Sequence, residues 1–91
     1  MVDYTFGVCN GMRVNNLHEL AVAFDSMSES DYKHHTQGEN NDFSNWVRDV
    51  LGIDSLSERL VSARSKEEAE LFVLEHLSNL LRQRIERKVV E

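Results

Sequence analysis

Apolar residues are grouped along this chain in short runs set apart by turn signals, and the period of the runs changes once. The first run, Thr5-Phe6-Gly7-Val8-Cys9, leads into Asn10-Gly11 and then Met12-Arg13-Val14, a pattern that predicts a β-hairpin. Asn-Gly suits the two central positions of a type I′ turn, both of which need φ > 0. A two-residue turn there places Gly7, Cys9, Met12 and Val14 on one face and Phe6, Val8 and Arg13 on the other. Neither face is polar. The ribbon is therefore expected either to be covered on both sides or to depart from a simple hairpin. Two strands alone are marginal in water, so it must pack on helices.

From Asn16 the period becomes helical. Asn16 reads as a cap with Glu19 three residues on, and Leu17, Leu20, Ala21 and Phe24 follow on one face. Ser28 with Asp31 starts a short second helix running to about Thr36, and Gly38 ends it. Gln37 to Asn41 is polar and reads as a loop. Asp42 is the expected cap of a third helix with a stripe of Phe43, Trp46, Val47, Val50 and Leu51, ended by Gly52. Ser55 and Glu58 predict a capping box for a fourth helix carrying Leu56, Leu60 and Val61.

Ser65 and Glu68 open a last helix that meets no breaker before the end of the sequence. At 1.5 Å per residue it is roughly 36 Å long, more than the roughly 30 Å width of a small domain. Its first half, Ala69 to Leu74, is apolar nearly all round and is expected to be buried. Beyond it Leu77, Leu81, Ile85 and Val89 recur every fourth residue with Leu80 alongside, a narrow stripe that either folds back into the core or meets a partner.

These elements predict a mainly α fold: a compact four- to five-helix domain with a short N-terminal β-hairpin and a long C-terminal helix. With 91 residues, one domain is expected, residues 1–64 forming a head and 65–91 the long helix. Hydrophobic residues at 41% and charged ones at 29% fit an ordinary globular protein. No run approaches the roughly 20 apolar residues that span a bilayer, so no membrane association is expected. A single cysteine and no basic leader ahead of an apolar run make the cytoplasm the expected location.

The net charge of −6 disfavours nucleic acid, which is bound by neutralising phosphates. Its distribution is uneven: residues 1–75 carry fourteen acidic and six basic side chains, whereas 76–91 carry four basic and two acidic ones. The basic side chains Arg82, Arg84, Arg87 and Lys88 near a helix C-terminus suit the macrodipole and need no nucleic-acid role.

Few constellations carry chemistry. His34 and His35, with Asp31 a turn earlier and Glu39 and Asp42 nearby, sketch a metal site. Adjacent helical residues diverge by about 100°, however, and the spacing is not one that puts ligands on one face. One histidine packing or capping and the other in solvent is the expected arrangement, with no metal and no cofactor. Cys9 has no histidine at a telling spacing and is expected to be a small buried hydrophobe. The segment Asp42-Phe43-Ser44-Asn45-Trp46 is either a pocket lined by Asp42, Asn45 and Trp46 or a capped helix start with two aromatic anchors, and the anchors are the expected reading. Gly-rich phosphate loops, paired-cysteine metal sites and the Gly-x-Ser-x-Gly elbow do not occur in the sequence.

Phe6-Gly7-Val8-Cys9-Asn10-Gly11, the Leu17-to-Phe24 helix, His34 or His35, and the segment from Asn41-Asp42-Phe43-Ser44-Asn45-Trp46 on to Gly52 together resemble a small domain family of unknown function. That family occurs in archaea and bacteria, alone or attached to larger proteins. The likeness spans roughly residues 6–63, with Asn-Asp-Phe-x-Asn-Trp its specific part, and implies no activity or site residues. The expected function is a non-catalytic protein-interaction module that pairs with itself as a dimer, or with a helical protein partner, through Leu77, Leu81, Ile85 and Val89. The alternative is a metal- or small-ligand-sensing domain built on the His34-His35 loop and the Asp42-to-Trp46 helix start.

Overall fold

A computed structural model describes residues 5–89 of the protein, with side chains through Arg84. Two strands, β1 (Phe6–Gly7) and β2 (Arg13–Val14), precede five helices: α1 (Leu17–Ser26), α2 (Glu29–His34), α3 (Asp42–Asp49), α4 (Asp54–Ser62) and α5 (Lys66–Val89). The mainly α class, the hairpin and the long final helix are as the sequence predicts.

The hairpin forms in a different register from the one expected. Phe6 pairs with Val14 and Gly7 with Arg13, so three residues, Cys9 to Gly11, make the connection. Gly11 N–H donates to Val8 O at 2.9 Å, and Val8 N–H donates to Met12 O at 2.8 Å. Gly11 takes φ +94°, whereas no described non-glycine residue has a positive φ, which rules out type I′ geometry at Asn10. The arrangement is a three-residue loop closed by a bulge at glycine. A shift of one residue turns every side chain over. Val8 and Val14 are buried and Phe6 and Met12 are packed on the core, while Gly7, Cys9 and Arg13 face solvent. The ribbon thus gains the one apolar face that the two-residue turn denied it, and Cys9 is exposed instead of buried.

Local side chains fix the helix starts. Asn16 Oδ1 accepts from Glu19 N–H at 2.9 Å, while Glu19 Oε1 accepts from Asn15 N–H at 2.8 Å, one residue ahead of the cap. Ser65 and Glu68 repeat the device at α5, with Glu68 reaching back to Arg64 N–H. Ser28 and Asp31 form a reciprocal capping box at α2. At α3 the cap is Asn41, not Asp42: Asn41 Oδ1 accepts from Ser44 N–H at 3.0 Å. Its Nδ2 donates to Leu60 O at 3.2 Å, so one side chain starts α3 and holds the end of α4. The box expected at Ser55 does not form. Gly52, at φ +71°, reverses the chain after α3, and α4 begins at Asp54 behind Ile53 with no side-chain cap.

An aromatic cluster occupies the centre. Phe43 lies 4.9 Å from Phe24, 5.2 Å from Phe6 and stacks on Tyr32 at 5.7 Å, ring centre to ring centre. Trp46 is buried against Phe6, as expected of an anchor. Val50 and Val61, expected on apolar stripes, are exposed because α3 ends at Asp49 and α4 turns its Leu56–Leu60 face inward.

Helix α5 begins beside the end of α1, where Lys66 Nζ donates to Phe24 O at 3.0 Å, and runs back along α1. The lysine cation meets the free carbonyls and negative dipole end of α1. Ala69 and Val73 enter the core, and Phe72 is half-buried beneath the Arg59 guanidinium, which lies 4.3 Å from its ring centre. Leu71 and Leu74 do not enter it: they are 51% and 46% exposed, so the expected all-round burial of 69–74 is not what forms. A helix packed on one side by α1 and α4 leaves its far side in water, whatever residues occupy it.

Candidate functional site

His35 is the polar centre of the head. Its ring is buried, tilted against Phe6 and Phe43 at 5.3 Å from each. Nε2 accepts the Cys9 backbone N–H at 3.0 Å, so that nitrogen carries no proton; Nδ1 then carries the hydrogen and donates it to Asp42 Oδ2 at 2.9 Å. Asp42 also returns a backbone bond to His35 O at 2.8 Å. The histidine thereby ties the hairpin loop to the start of α3. His34 is exposed, which matches the expectation of one packed and one solvated histidine.

The other residues drawn into a metal site do not converge. Asp31 accepts from Ser28 N–H and from the Cys9 thiol at 3.3 Å, and Glu39 is exposed on the 37–41 loop. Both ring nitrogens of His35 are engaged within the protein. Among the described residues, no group of three or more His, Cys, Asp or Glu side chains is arranged around a common point.

Cys9 and His35 are neighbours, but the ring faces the cysteine's backbone and not its sulfur. Loss of hydration, then the hydrogen bond and charge of Asp31, push the Cys9 thiol above its ordinary value. That is opposite to what an activated nucleophile needs. Asp31 shifts the other way: the thiol hydrogen bond, followed by the Ser28 backbone, holds its carboxyl below the ordinary range.

A cleft of about 380 Å³ opens between α2, the 37–41 loop and the α4–α5 turn. Tyr32, Lys33, Glu39, Asn41, Ala63 and Arg64 line it, so of the residues the sequence singles out for chemistry only Glu39 borders it. Burial, then the charges of Glu68 and Glu29, raises the Tyr32 phenol. Asp42, Asn45 and Trp46, the alternative pocket reading of residues 42–46, do not line this space. Asp42 holds His35 and Asn40, Asn45 bonds Asn40 and Arg48, and Trp46 is core.

The outer side of α5 is the other feature of note. Leu71, Leu74, Ser78 and Leu81 are spaced three, four and three residues apart, which places them on one face of a 3.6-residue helix. The three leucines are 51%, 46% and 58% exposed. Of the predicted stripe, Leu77 packs against the core and Leu81 is on the open face; the side chains of Ile85 and Val89 lie outside the described residues. Beside that face, His18, Leu77, Leu80, Leu81 and Arg84 bound an apolar groove of about 260 Å³. Leu71 and Leu74 are the members that the every-fourth-residue count misses; the alternating three-and-four spacing through Ser78 is the signal that finds them.

Comparison with protein-family models, with curated proteins and with solved structures found no match to this chain. Among the described residues no helix is long and apolar enough to cross a membrane.

Proposed function

We propose that this protein is a non-catalytic interaction module that associates with a second copy of itself through α5. The observation that carries this reading is the row Leu71, Leu74 and Leu81, exposed on a helix whose opposite side is already packed on α1 and α4. Fully burying an exposed leucine is worth about 1.5–3 kcal/mol; these three are about half exposed, so covering them gains roughly half that each and still favours a covered face. The head supports the reading in a different way. Its conspicuous polar residues, His35, Asp42 and Asn41, are engaged in holding elements together, which leaves the ligand-sensing alternative with less to stand on.

The likeness of residues 6–63 to a small family of unknown function is part of the same proposal. The likeness ends before α5, so the proposed association draws nothing from it.

Light scattering on the full-length chain tests the reading. A mass near 21 kDa, twice the 10.5 kDa chain, is expected at tens of micromolar, falling towards the single-chain value on replacement of Leu81 by Glu. A single-chain mass at every concentration up to hundreds of micromolar would overturn it.

A further inference from the structure

Resting on that reading, we infer that the two copies pair antiparallel, with the twofold axis passing beside Ser78. The first argument is charge. Residues 66–77 of α5 carry one lysine and four glutamates, net −3, and residues 78–89 carry four basic residues against Glu86, net +3. The helix is therefore an electrostatic rod with an acidic first half and a basic second half, divided at Ser78. A parallel copy lays acidic half on acidic half and basic on basic. An antiparallel copy lays each half on its complement and also opposes the two helix dipoles.

The second argument is shape. The exposed face reads Leu71, Leu74, Ser78, Leu81, and the same spacing in the sequence continues to Ile85. These positions are nearly palindromic about residue 78, so a twofold axis there brings the 74 and 81 positions of the two copies opposite one another. A symmetric dimer uses the same patch on both copies, which requires this kind of self-complementarity. The residue on the axis is the small one, and serine lets two helices approach towards the short end of the usual 8–10 Å interaxial distance.

Single-cysteine variants in a Cys9→Ser background distinguish the arrangements. Ser78 and Glu67 are both exposed, so neither change disturbs the core. Disulfide formation needs Cα atoms about 4.4–6.8 Å apart. In the antiparallel pair, Ser78→Cys meets its own copy at the axis, whereas two Glu67→Cys sites lie roughly 33 Å apart along the helix, at 1.5 Å per residue on either side. The expected result is a dimer by light scattering, rapid oxidative cross-linking of Ser78→Cys, and none of Glu67→Cys. A dimer that cross-links through Glu67→Cys is parallel and overturns this inference while leaving self-association standing; so does a dimer that cross-links through neither. A chain that stays monomeric overturns self-association itself, and the face then belongs to a partner of different sequence.

Discussion

Ser44 and Ser57 face each other across the α3–α4 contact with their hydroxyl oxygens 2.7 Å apart, and both side chains are buried. Each hydroxyl also reaches the other residue's backbone carbonyl, at 2.8 Å from Ser44 and 3.0 Å from Ser57. Two small residues let the helices approach closely, and the approach allows the reciprocal bonds. The sequence marks neither serine. Ser44 sits inside an aromatic segment and Ser57 inside a helix, and only their meeting explains why a polar residue occupies each place.

That pairing makes a prediction about additivity. Ser44→Ala or Ser57→Ala alone leaves a buried hydroxyl and carbonyl short of a partner and should cost about 1–2 kcal/mol. The double replacement removes both hydroxyls together and should cost less than the sum of the two, by about 0.5–1 kcal/mol. Urea unfolding of the four proteins measures the coupling, and strict additivity would mean that the two hydroxyls act independently.

His35 makes a second prediction. His35→Phe keeps ring packing against Phe6 and Phe43 but leaves the Cys9 N–H and the Asp42 carboxylate without their partner. The expected loss is about 1–3 kcal/mol. Asp42→Asn retains an oxygen able to accept the Nδ1 hydrogen at a site 39% exposed, and should cost less than about 1 kcal/mol. The amide resonance of Cys9 reports the same bond directly: it should move in His35→Phe and hold its position in Asp42→Asn.

The Cys9–Asp31 contact gives pH dependence on both sides of neutrality. The thiol is raised in the folded protein, so at neutral pH it should alkylate more slowly than in the urea-unfolded chain, despite its exposure. Asp31→Asn removes the carboxylate charge, and the pH midpoint of alkylation should fall towards the ordinary thiol value. Asp31 is itself lowered on folding. Its contribution to stability is present above the unfolded carboxylate value of about 3.9 and is lost as pH falls through the lower folded value. Urea midpoints of Asp31→Asn should accordingly vary less than those of the natural sequence as the solution is acidified. An unchanged alkylation profile in Asp31→Asn would separate the raised thiol from this carboxylate.

What could be read from the sequence follows the range of the interactions. Asn16, Ser28 and Ser65 cap helices through bonds spanning three residues, and the sequence displays all of them. The hairpin was legible as a hairpin but not in register, because Asn10-Gly11 serves a two-residue turn or a three-residue loop, and the choice turns on which face the core covers. His35 was legible only as one of two histidines. Its partners are Cys9, 26 residues away, and Asp42, on another helix, and nothing in local spacing joins them. Asn41-Asp42-Phe43-Ser44-Asn45-Trp46, the specific part of the resemblance, is full of structural duties: a double cap, a histidine partner, a buried serine and two core rings. On α5, periodicity showed apolar residues on several faces; which of them α1 and α4 claim was a tertiary decision.

That decision leads to a final prediction, in which the two sides of α5 behave differently. Val73 is fully buried against the head. Val73→Ala removes two carbon groups worth about 0.8 kcal/mol each and leaves a cavity, so the loss of stability should be about 2 kcal/mol or more. Leu81→Glu, at a residue 58% exposed, should leave the melting temperature of dilute protein nearly unchanged while abolishing the dimer mass. Concentration separates the effects further. The natural chain should melt higher as it is concentrated, because association stabilises the folded state by mass action, whereas Leu81→Glu should melt at one temperature throughout. Added salt should weaken the natural dimer, since opposite charges on the two halves of α5 attract less when screened. If Leu81→Glu instead melted as low as Val73→Ala in dilute solution, the outer leucines would be structural parts of the head, and α5 would have no free face to offer.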